Sequence, residues 1–276
     1  MGTLYLVATP IGNLEDITLR ALRLLGQVGL IAAEDTRQTR KLLDHYNIHT
    51  PLTSYFEHNK LSKLDRILAA LAQGDVALVS DAGTPALNDP GFELVKAVLE
   101  SGHVVRPIPG PSAPLAALVV SGLPTDTFLY LGYLPRKAAE RRRALAAVAE
   151  LPHTIILLEA PHRLFPALQD LLAILGERRL AVARELTKLH EEIFRGNLSQ
   201  ALEHFALQPP RGEFTLVVSG HLAAPQRWLE ERLRNALQER LADGESPSQA
   251  AAHMSTLSGW PRRDIYRLIT ELQHDT

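Results

Sequence analysis

Four loops in the first 113 residues combine glycine, proline and short polar side chains, and each directly follows a short apolar run. Their sequences are Thr-Pro-Ile-Gly-Asn at 9–13, Glu-Asp-Thr-Arg at 34–37, Ser-Asp-Ala-Gly-Thr-Pro at 80–85 and Pro-Gly-Pro-Ser-Ala at 109–113. Any one of them alone is typical of an ordinary turn. Four in series, separated by segments with helical spacing, indicate βαβ units in a parallel sheet. Because ligands bind outside the carboxyl ends of such strands, the loops predict one shared ligand site.

The alternation of apolar runs and helical spacing continues beyond these loops and predicts an α/β fold class. We expect strands at 4–8, 29–33, 76–79, 104–108, 154–158, 180–184, 191–194 and 214–218, and helices at 17–25, 61–72, 92–100, 164–175 and 198–204. Beyond residue 225 only helical spacing remains. The expected domains are an N-terminal α/β domain at 1–122, a second α/β domain at 123–222 and a helical, helix-turn-helix-like appendage at 225–276.

Composition excludes several classes of protein. The 276 residues contain no cysteine, so disulfides, thiolate zinc sites and cysteine nucleophiles are excluded. The N-terminus lacks a signal-peptide pattern, and the apolar stretches are shorter than the roughly 20 residues needed to cross a bilayer. These features predict a cytoplasmic protein with no membrane partner. The formal net charge of −2 gives no general attraction to nucleic acid, so RNA binding would need local basic patches.

Familiar cofactor and metal motifs are missing. No Gly-x-Gly-x-x-Gly follows the first apolar run, and no Gly-x-x-x-x-Gly-Lys-Ser/Thr occurs, so NAD and ATP are disfavoured. The histidines lack ligand spacing, and we expect no metal. The four loops should therefore suit a different small, nucleotide-like cofactor.

Longer motifs identify the family that the chain resembles. Besides the four loops, they are Ser-Tyr-Phe-Glu-His-Asn at 54–59, Leu-Glu-Ala-Pro-His-Arg at 158–163, Ala-Arg-Glu-Leu-Thr-Lys-Leu-His-Glu-Glu at 183–192 and Gly-Glu-Phe-Thr-Leu-Val at 212–217. Together they resemble the ribosomal small-subunit RNA 2′-O-methyltransferase I family of the tetrapyrrole-methylase superfamily, over nearly all of residues 1–222. The resemblance implies two α/β domains with an S-adenosylmethionine cleft between them. It also implies a homodimer that methylates the ribose of a decoding-region cytidine in 16S rRNA, within the small ribosomal subunit.

The resemblance also implies which residues bind the cofactor. The positions that match the superfamily's loops in the first domain are Pro10, Gly12, Asp81, Ala82, Gly83, Pro85, Pro109, Ser112 and Ala113. Those in the second domain are Glu159, Ala160, Gly212, Glu213 and Thr215. Backbone groups of such loops can recognise adenine and an amino-acid tail without charged side chains.

A ribose hydroxyl is a poor nucleophile, so a base or a cation near the acceptor oxygen would help its methylation. Asp35 is our first candidate because it ends the second strand, where related enzymes carry an acidic residue near their substrate. Lys188 and Glu185 are the next candidates. Asp35 could instead cap the following helix, and Lys188 could be a solvated surface residue.

Phosphate contacts require local clusters of lysine and arginine. The predicted substrate-binding residues are Arg37, Arg40, Lys41, Arg136, Lys137 and Arg141. A charged helix face that is merely solvated remains an alternative for each cluster. Two further alternatives concern the whole chain, namely a tetrapyrrole methyltransferase of the same fold and an RNA-binding assembly factor without catalysis.

Overall fold

The computed structural model describes residues 2–56, 60–207, 210–221 and 227–274. Residues 57–59, part of the motif at 54–59, lie outside them. The chain divides into two compact units, Met1–Gly220 and His221–Thr276. The first unit contains two five-stranded sheets and the second is helical. No helix in the described part of the chain is long and apolar enough to cross a membrane.

The first sheet is entirely parallel, as its loops predicted. Its strands are β1 (Thr3–Val7), β2 (Leu30–Ala33), β3 (Leu52–Ser54), β4 (Val76–Val79) and β5 (Val104–Ile108). They lie in the order β3-β2-β4-β1-β5. The four strands that precede the predicted ligand-site loops, β1, β2, β4 and β5, are therefore neighbours in space. The carboxyl ends of all four therefore meet at one edge of the sheet. The short edge strand β3 was not predicted, because three residues carry too little periodicity to be recognised.

Helices cover both faces of this sheet. They are α1 (Leu19–Leu25), α2 (Thr36–His45), α3 (Lys60–Gln73) and α4 (Phe92–Glu100), and a 3-10 helix at Leu14–Asp16 precedes α1. On one face Val7, Ile31 and Val79 pack against α1 and α2. On the opposite face Leu4 and Leu78 pack against α3 and α4. Strands buried on both faces explain the near-continuous apolar runs in the sequence.

The second sheet is mixed. Its strands are β6 (Phe128–Tyr133), β7 (Thr154–Glu159), β8 (Arg179–Arg184), β9 (Glu192–Asn197) and β10 (Phe214–Val218), in the order β6-β7-β10-β8-β9. Only β6 and β7 pair in parallel. The sequence did not predict β6, because a register shift between Tyr130 and Gly132 interrupts its alternation and leaves its rings half-buried or exposed.

Helices also pack against both faces of the second sheet. Helices α6 (Ala138–Ala146), α7 (Pro161–Leu175) and α8 (Leu198–Ala206) cover one face. Helix α5 (Ala113–Ser121), which follows β5 of the first sheet, covers the other through Ala117 and Leu118. Helix α5 thus links the last strand-end loop of the first sheet to the core of the second.

The C-terminal unit consists of α9 (Glu230–Ala242), α10 (Pro247–Ser258) and α11 (Arg262–His274). Ser246 and Gln249 form a capping box at the start of α10, and Gly259 ends that helix in a left-handed conformation. The Trp260 indole N–H donates to the Trp228 carbonyl at 2.7 Å, inside a core shared by the three helices. Local capping residues therefore fix where α10 begins and ends.

Candidate active site

Reciprocal hydrogen bonds join the strand-end loops of the first sheet. Thr9 and Gly83 exchange two backbone hydrogen bonds, at 2.9 and 3.0 Å. Gly83 has a φ of +78°, which lies in the left-handed region that favours glycine. The Asp35 amide donates to Oδ1 of Asp81 at 2.9 Å, and the Asp81 amide donates to Oε2 of Glu34 at 3.3 Å. The loops after β1, β2 and β4 therefore form one connected wall.

A cavity, here called the inner cavity, lies between this wall and the second sheet. Its first-sheet side is formed by the loops after β1, β2, β4 and β5, and its second-sheet side by β6, β7 and β10 and the residue preceding β10. The lining residues are Ile11, Glu34, Asp81, Ala82, Gly83, Thr84, Leu87, Asn88, Asp89, Ser112, Ala113, Pro114, Tyr130, Tyr133, Leu158, Glu213, Phe214 and Thr215. None of these lining residues is lysine, arginine or histidine, whereas four are carboxylic acids.

The carboxyl groups of the inner cavity are electrostatically unusual. Burial raises the pKa values of Glu34, Asp81 and Asp89, and mutual repulsion adds to the effect. An accumulation of negative charge with no basic side chain in the lining favours a cationic ligand and disfavours one rich in phosphate.

One polar group on the second-sheet side of the inner cavity, the Tyr130 hydroxyl, lacks a partner among the described residues. The Tyr130 hydroxyl is buried and makes no hydrogen bond within the described part of the chain. Burial raises the pKa of this hydroxyl to about 12, so it remains a hydrogen-bond donor at neutral pH. A buried, unsatisfied hydroxyl on a cavity wall is suited to bind a polar group of a ligand.

A larger groove, here called the outer groove, lies on the other side of Ile11 and Ala82. It is lined by Thr9, Pro10, Ile11, Gly12, Leu14, Gln38, Thr39, Lys41, Leu42, Ser80, Asp81, Ala82, Lys188 and Glu213. Four residues line both spaces: Ile11, Asp81, Ala82 and Glu213. The two spaces therefore meet at a shared junction.

Lys188 lies on the wall of the outer groove, between two carboxylates. Its ammonium contacts Oε1 of Glu185 at 2.9 Å and Oε2 of Glu213 at 3.2 Å. Burial alone would lower the pKa of Lys188, but these two hydrogen bonds outweigh burial and raise it. Lys188 is therefore a cation at neutral pH and cannot act as a base there.

Close packing holds the Lys188 segment against the first loop. A Cβ added to Gly12 would lie 2.4 Å from Cγ of Lys188 and 2.8 Å from the Leu186 carbonyl oxygen. Gly12 thus allows the segment between β8 and β9 to approach the loop after β1. The structure brings these two predicted site regions together.

Asp35 lines neither space. It is the N-cap of α2, where its Oδ1 accepts the Arg37 amide at 2.8 Å, and its carboxylate pairs with the Arg37 guanidinium at 2.6 Å. The side-chain hydrogen bond from Arg37 lowers the pKa of Asp35 to about 2. Such a carboxylate is a weak base. The geometry therefore favours the capping role over the catalytic one.

The predicted cofactor-binding residues fall into three groups. Asp81, Ala82, Gly83, Ser112, Ala113, Glu213 and Thr215 line the inner cavity. Pro10 and Gly12 line the outer groove instead. Pro85, Pro109, Glu159, Ala160 and Gly212 line neither of these spaces.

Two residues of the last group have local structural roles. The Glu159 carboxylate is buried and pairs with Arg163 at 3.1 Å. Gly212 adopts a φ of +84°, and a Cβ there would lie 2.3 Å from the Glu185 carboxyl group. Gly212 thus makes room for the residue that binds Lys188.

Five of the six predicted substrate-binding residues are exposed, and one is buried. Lys41 lines the outer groove, and Arg37 and Arg40 are exposed on the same helix, α2. Arg136 and Lys137 are exposed before α6, but Arg141 is 6% exposed and binds Asp170 at 2.6 Å. Arg141 therefore stabilises the contact between α6 and α7 and is inaccessible to a phosphate.

Sequence reasoning missed several residues of the inner cavity. Tyr130 and Tyr133 received no site prediction. Asn88 and Asp89 received no prediction, although an Asn-Asp-Pro-Gly turn directly after the β4 loop is a signal that could have identified them. A Cβ at Gly132 would lie 2.2 Å from Nδ2 of Asn88, so this turn reaches the bulge of β6.

Known proteins are similar to this chain in sequence. Residues 3–202 match the family model for Tetrapyrrole (Corrin/Porphyrin) Methylases. A relative from Synechocystis sp., named ribosomal RNA small subunit methyltransferase I, is 50% identical over 280 residues that cover 100% of both chains. A relative of the same name from Bacillus subtilis is 43% identical over 272 residues, which cover 96% of this chain and 93% of that one.

Solved structures share the fold. Uroporphyrin-III C-methyltransferase from Thermus thermophilus, complexed with S-adenosyl homocysteine, has a TM-score of 0.55 at 20% identity and covers 78% of this chain and 97% of its own. A cobalt precorrin-4 methyltransferase has a TM-score of 0.58 at 15% identity and covers 79% of this chain and 94% of its own. These likenesses confirm the predicted fold class. The chain belongs to the tetrapyrrole methylase family and, within it, to the ribosomal RNA small subunit methyltransferase I family, as its motifs predicted.

Proposed function

We propose that this protein transfers a methyl group from S-adenosylmethionine to the ribose 2′-oxygen of a cytidine in the decoding region of 16S rRNA. The family membership supports the reaction class. The observation that carries the proposal is the pair of adjoining spaces that differ in charge, since lysines line the outer groove and not the inner cavity. The inner cavity is lined by carboxylates without a basic residue, and the outer groove is lined by Lys41 and Lys188.

The inner cavity fits S-adenosylmethionine, which supplies an electrophilic methyl group on a positively charged sulfur. Glu34 and Asp89 would face the positive charges of the cofactor, and the unsatisfied Tyr130 hydroxyl would donate to one of its polar groups. Ile11 and Leu158 offer apolar surface on opposite walls. The scarcity of cations in this lining also explains why NAD and ATP are poor candidates, since their phosphates would find no partner.

The outer groove would hold the acceptor ribose and its neighbouring phosphates. Lys188 remains charged and would stabilise negative charge that develops on the acceptor oxygen. Glu185 would position Lys188 through the contact at 2.9 Å. Lys41, Arg37 and Arg40 on α2 would contribute phosphate contacts.

We further propose that the substrate is the assembled small subunit, that the protein acts as a homodimer and that it works in the cytoplasm. The formal net charge of −2 is better suited to a shaped ribonucleoprotein than to free RNA bound by general attraction. Comparing free 16S rRNA with small subunits as substrates tests the first point, and analytical ultracentrifugation tests the second.

The deciding experiment combines the purified protein, labelled S-adenosylmethionine and unmodified small subunits. Nuclease digestion and mass spectrometry then locate the methyl group. We expect one 2′-O-methylcytidine in the decoding region. No ribose methylation, or label transferred to a tetrapyrrole instead, would contradict the proposal.

A further inference from the structure

The junction between the two spaces is the place where a methyl group would pass from donor to acceptor. Of its four residues, Ile11 and Ala82 carry no group that can accept a proton. Glu213 is neutralised by Lys188 at 3.2 Å and has a side chain that is 72% exposed. Asp81 is the remaining carboxylate that lines both spaces.

The backbone holds the Asp81 carboxylate in position. It directly follows Ser80 at the carboxyl end of β4, which lies between β2 and β1. Its Oδ1 accepts the Asp35 amide at 2.9 Å. Oδ2 makes no hydrogen bond to any residue that the structure describes, so this oxygen can accept one from a ligand.

We propose that Asp81 is the catalytic base of the methyl transfer, receiving on Oδ2 the proton of the acceptor hydroxyl. This inference rests on the proposed function. The acceptor oxygen forms a bond to the methyl carbon while the bond between that carbon and sulfur breaks. Its electron pair goes to sulfur, which becomes a neutral thioether. The hydroxyl proton passes to Asp81 and from there to water, so no metal or redox partner is needed.

Electrostatics support this position. Burial raises the pKa of Asp81, whereas Arg37 holds the pKa of Asp35 at about 2. A base is more effective when its pKa is closer to the working pH, provided that it is still ionised. Of the two neighbouring carboxylates, Asp81 is therefore the better base.

Other charged groups lie near Asp81 on the elements that surround it. Around the inner cavity they are Glu34, Asp35, Asp89 and Arg37, and around the outer groove they are Lys41, Lys188 and Glu213. The hydrogen bond from the Asp35 amide lowers the pKa of Asp81, repulsion from the Asp35 carboxylate raises it, and Arg37 lowers it. Because the raised pKa is the folded-state value, the reactive ionised form is lost as the pH falls through it.

The test compares Asp81→Asn with Asp35→Asn. Asparagine at 81 retains an oxygen that can accept the Asp35 amide, and asparagine at 35 retains a good helix cap. We expect Asp81→Asn to lower the single-turnover rate on small subunits about 100-fold or more, and Asp35→Asn to lower it far less. Calorimetric titration with S-adenosylhomocysteine should give nearly the native affinity for Asp35→Asn, and for Asp81→Asn a loss of affinity far smaller than the loss of rate.

Two further measurements keep the outcome decisive. The rate of the native protein should fall at acidic pH, with a pKa above the usual aspartate value. Carbon NMR should assign that pKa to Asp81. The pH–rate profile of Asp81→Asn should lack this acidic limb, the fall in rate at low pH. If Asp81→Asn does not bind S-adenosylhomocysteine, Asp81→Glu and the NMR titration replace it.

The proposal is overturned if Asp81→Asn turns over at the native rate, if Asp35→Asn is the more damaging variant, or if the acidic limb belongs to another group. Failure of the proposed function would look different, because the native protein itself would then methylate no ribose.

Discussion

The inner cavity and the outer groove share a wall but differ in size and charge. The inner cavity has a volume of about 220 Å³ and an acidic lining, whereas the outer groove has about 560 Å³ and presents Lys41 and Lys188. The smaller, acidic space suits a compact cation, whereas the larger one, where Lys41 and Lys188 balance the shared Asp81 and Glu213, can accept the phosphates of a polyanion. Under the proposed function, this difference would separate the two substrates by charge and bring them together at the junction.

Apart from Asp81→Asn, the largest effect is expected from the cation of the outer groove. Replacing Lys188 with methionine should lower the single-turnover rate about 100-fold, because charge that develops on the acceptor oxygen loses its stabilising ammonium. S-Adenosylhomocysteine should bind almost as before, since Lys188 does not line the inner cavity. Rapid-quench kinetics and calorimetry measure the two quantities.

Lys188→Arg is the matched control because it keeps the positive charge, and we expect it to retain an intermediate rate. If Lys188→Met weakened cofactor binding as strongly as turnover, the division of roles between the two spaces would be wrong.

A substitution in the wall of the inner cavity should weaken cofactor binding and leave binding to the small subunit nearly unchanged. Gly83→Val adds two methyl groups beyond a Cβ that would lie 3.6 Å from Ile11 on the cavity wall, at a φ of +78°. We expect S-adenosylhomocysteine to bind 10- to 100-fold more weakly, roughly 1.4–2.7 kcal/mol. Binding to small subunits, measured by sedimentation, should change little.

Gly122→Val is the control for backbone strain. Gly122 has a similar φ of +75° but no atom within 4 Å of its added Cβ. Both variants should lose stability, and only Gly83→Val should lose cofactor affinity. Equal losses of affinity would attribute the effect to strain instead of the cavity.

A lower pH should weaken the binding of S-adenosylmethionine, whose sulfur is positively charged, more than the binding of S-adenosylhomocysteine, whose sulfur is neutral. Because burial raises the pKa values of Glu34, Asp81 and Asp89, these groups take up protons first as the pH falls. A cation binds their ionised forms better, so its affinity is greatest above these pKa values and declines below them. Calorimetry from about pH 7.5 to about pH 5 should show S-adenosylmethionine losing more affinity than S-adenosylhomocysteine.

The expected difference is about tenfold for each unit by which the sulfonium charge shifts a carboxyl pKa. Parallel pH profiles for the two compounds would show that the acidic lining does not recognise the sulfonium.

The smallest effect is expected from the phosphate contacts. Lys41→Ala should weaken small-subunit binding only a few-fold and reduce the salt dependence of binding by about one ion. The control is Lys96→Ala on α4, which removes an exposed lysine that pairs with Glu100. If both variants changed the salt dependence equally, α2 would not be part of the substrate surface.

The sequence predicted one side of this site much better than the other. Parallel strands place all their carboxyl ends at one edge, so the loops containing Gly12, Asp81 and Ser112 could be assigned from local patterns. Tyr130 and Tyr133 come from a mixed sheet, whose contribution depends on how it packs against the first. No local periodicity contains that information.

Charge pairing was a second source of error. Asp35 forms an ion pair at 2.6 Å with Arg37, which is two residues away in sequence. Arg141 forms one at the same distance with Asp170, which is distant in sequence. The first pairing reduces the basicity of the predicted base, and the second makes a predicted phosphate ligand inaccessible. Local sequence patterns reveal a charged residue but not its partner.

The most direct measurement is a crystal structure with S-adenosylhomocysteine and an oligonucleotide that contains the decoding-region cytidine. The two-space account predicts the cofactor product in the inner cavity with its sulfur at the Ile11–Ala82 junction. It also predicts the ribose in the outer groove, with its 2′-oxygen within hydrogen-bond distance of Asp81. A cofactor bound along α2 would contradict this account. So would a ribose whose 2′-oxygen makes no contact with Asp81.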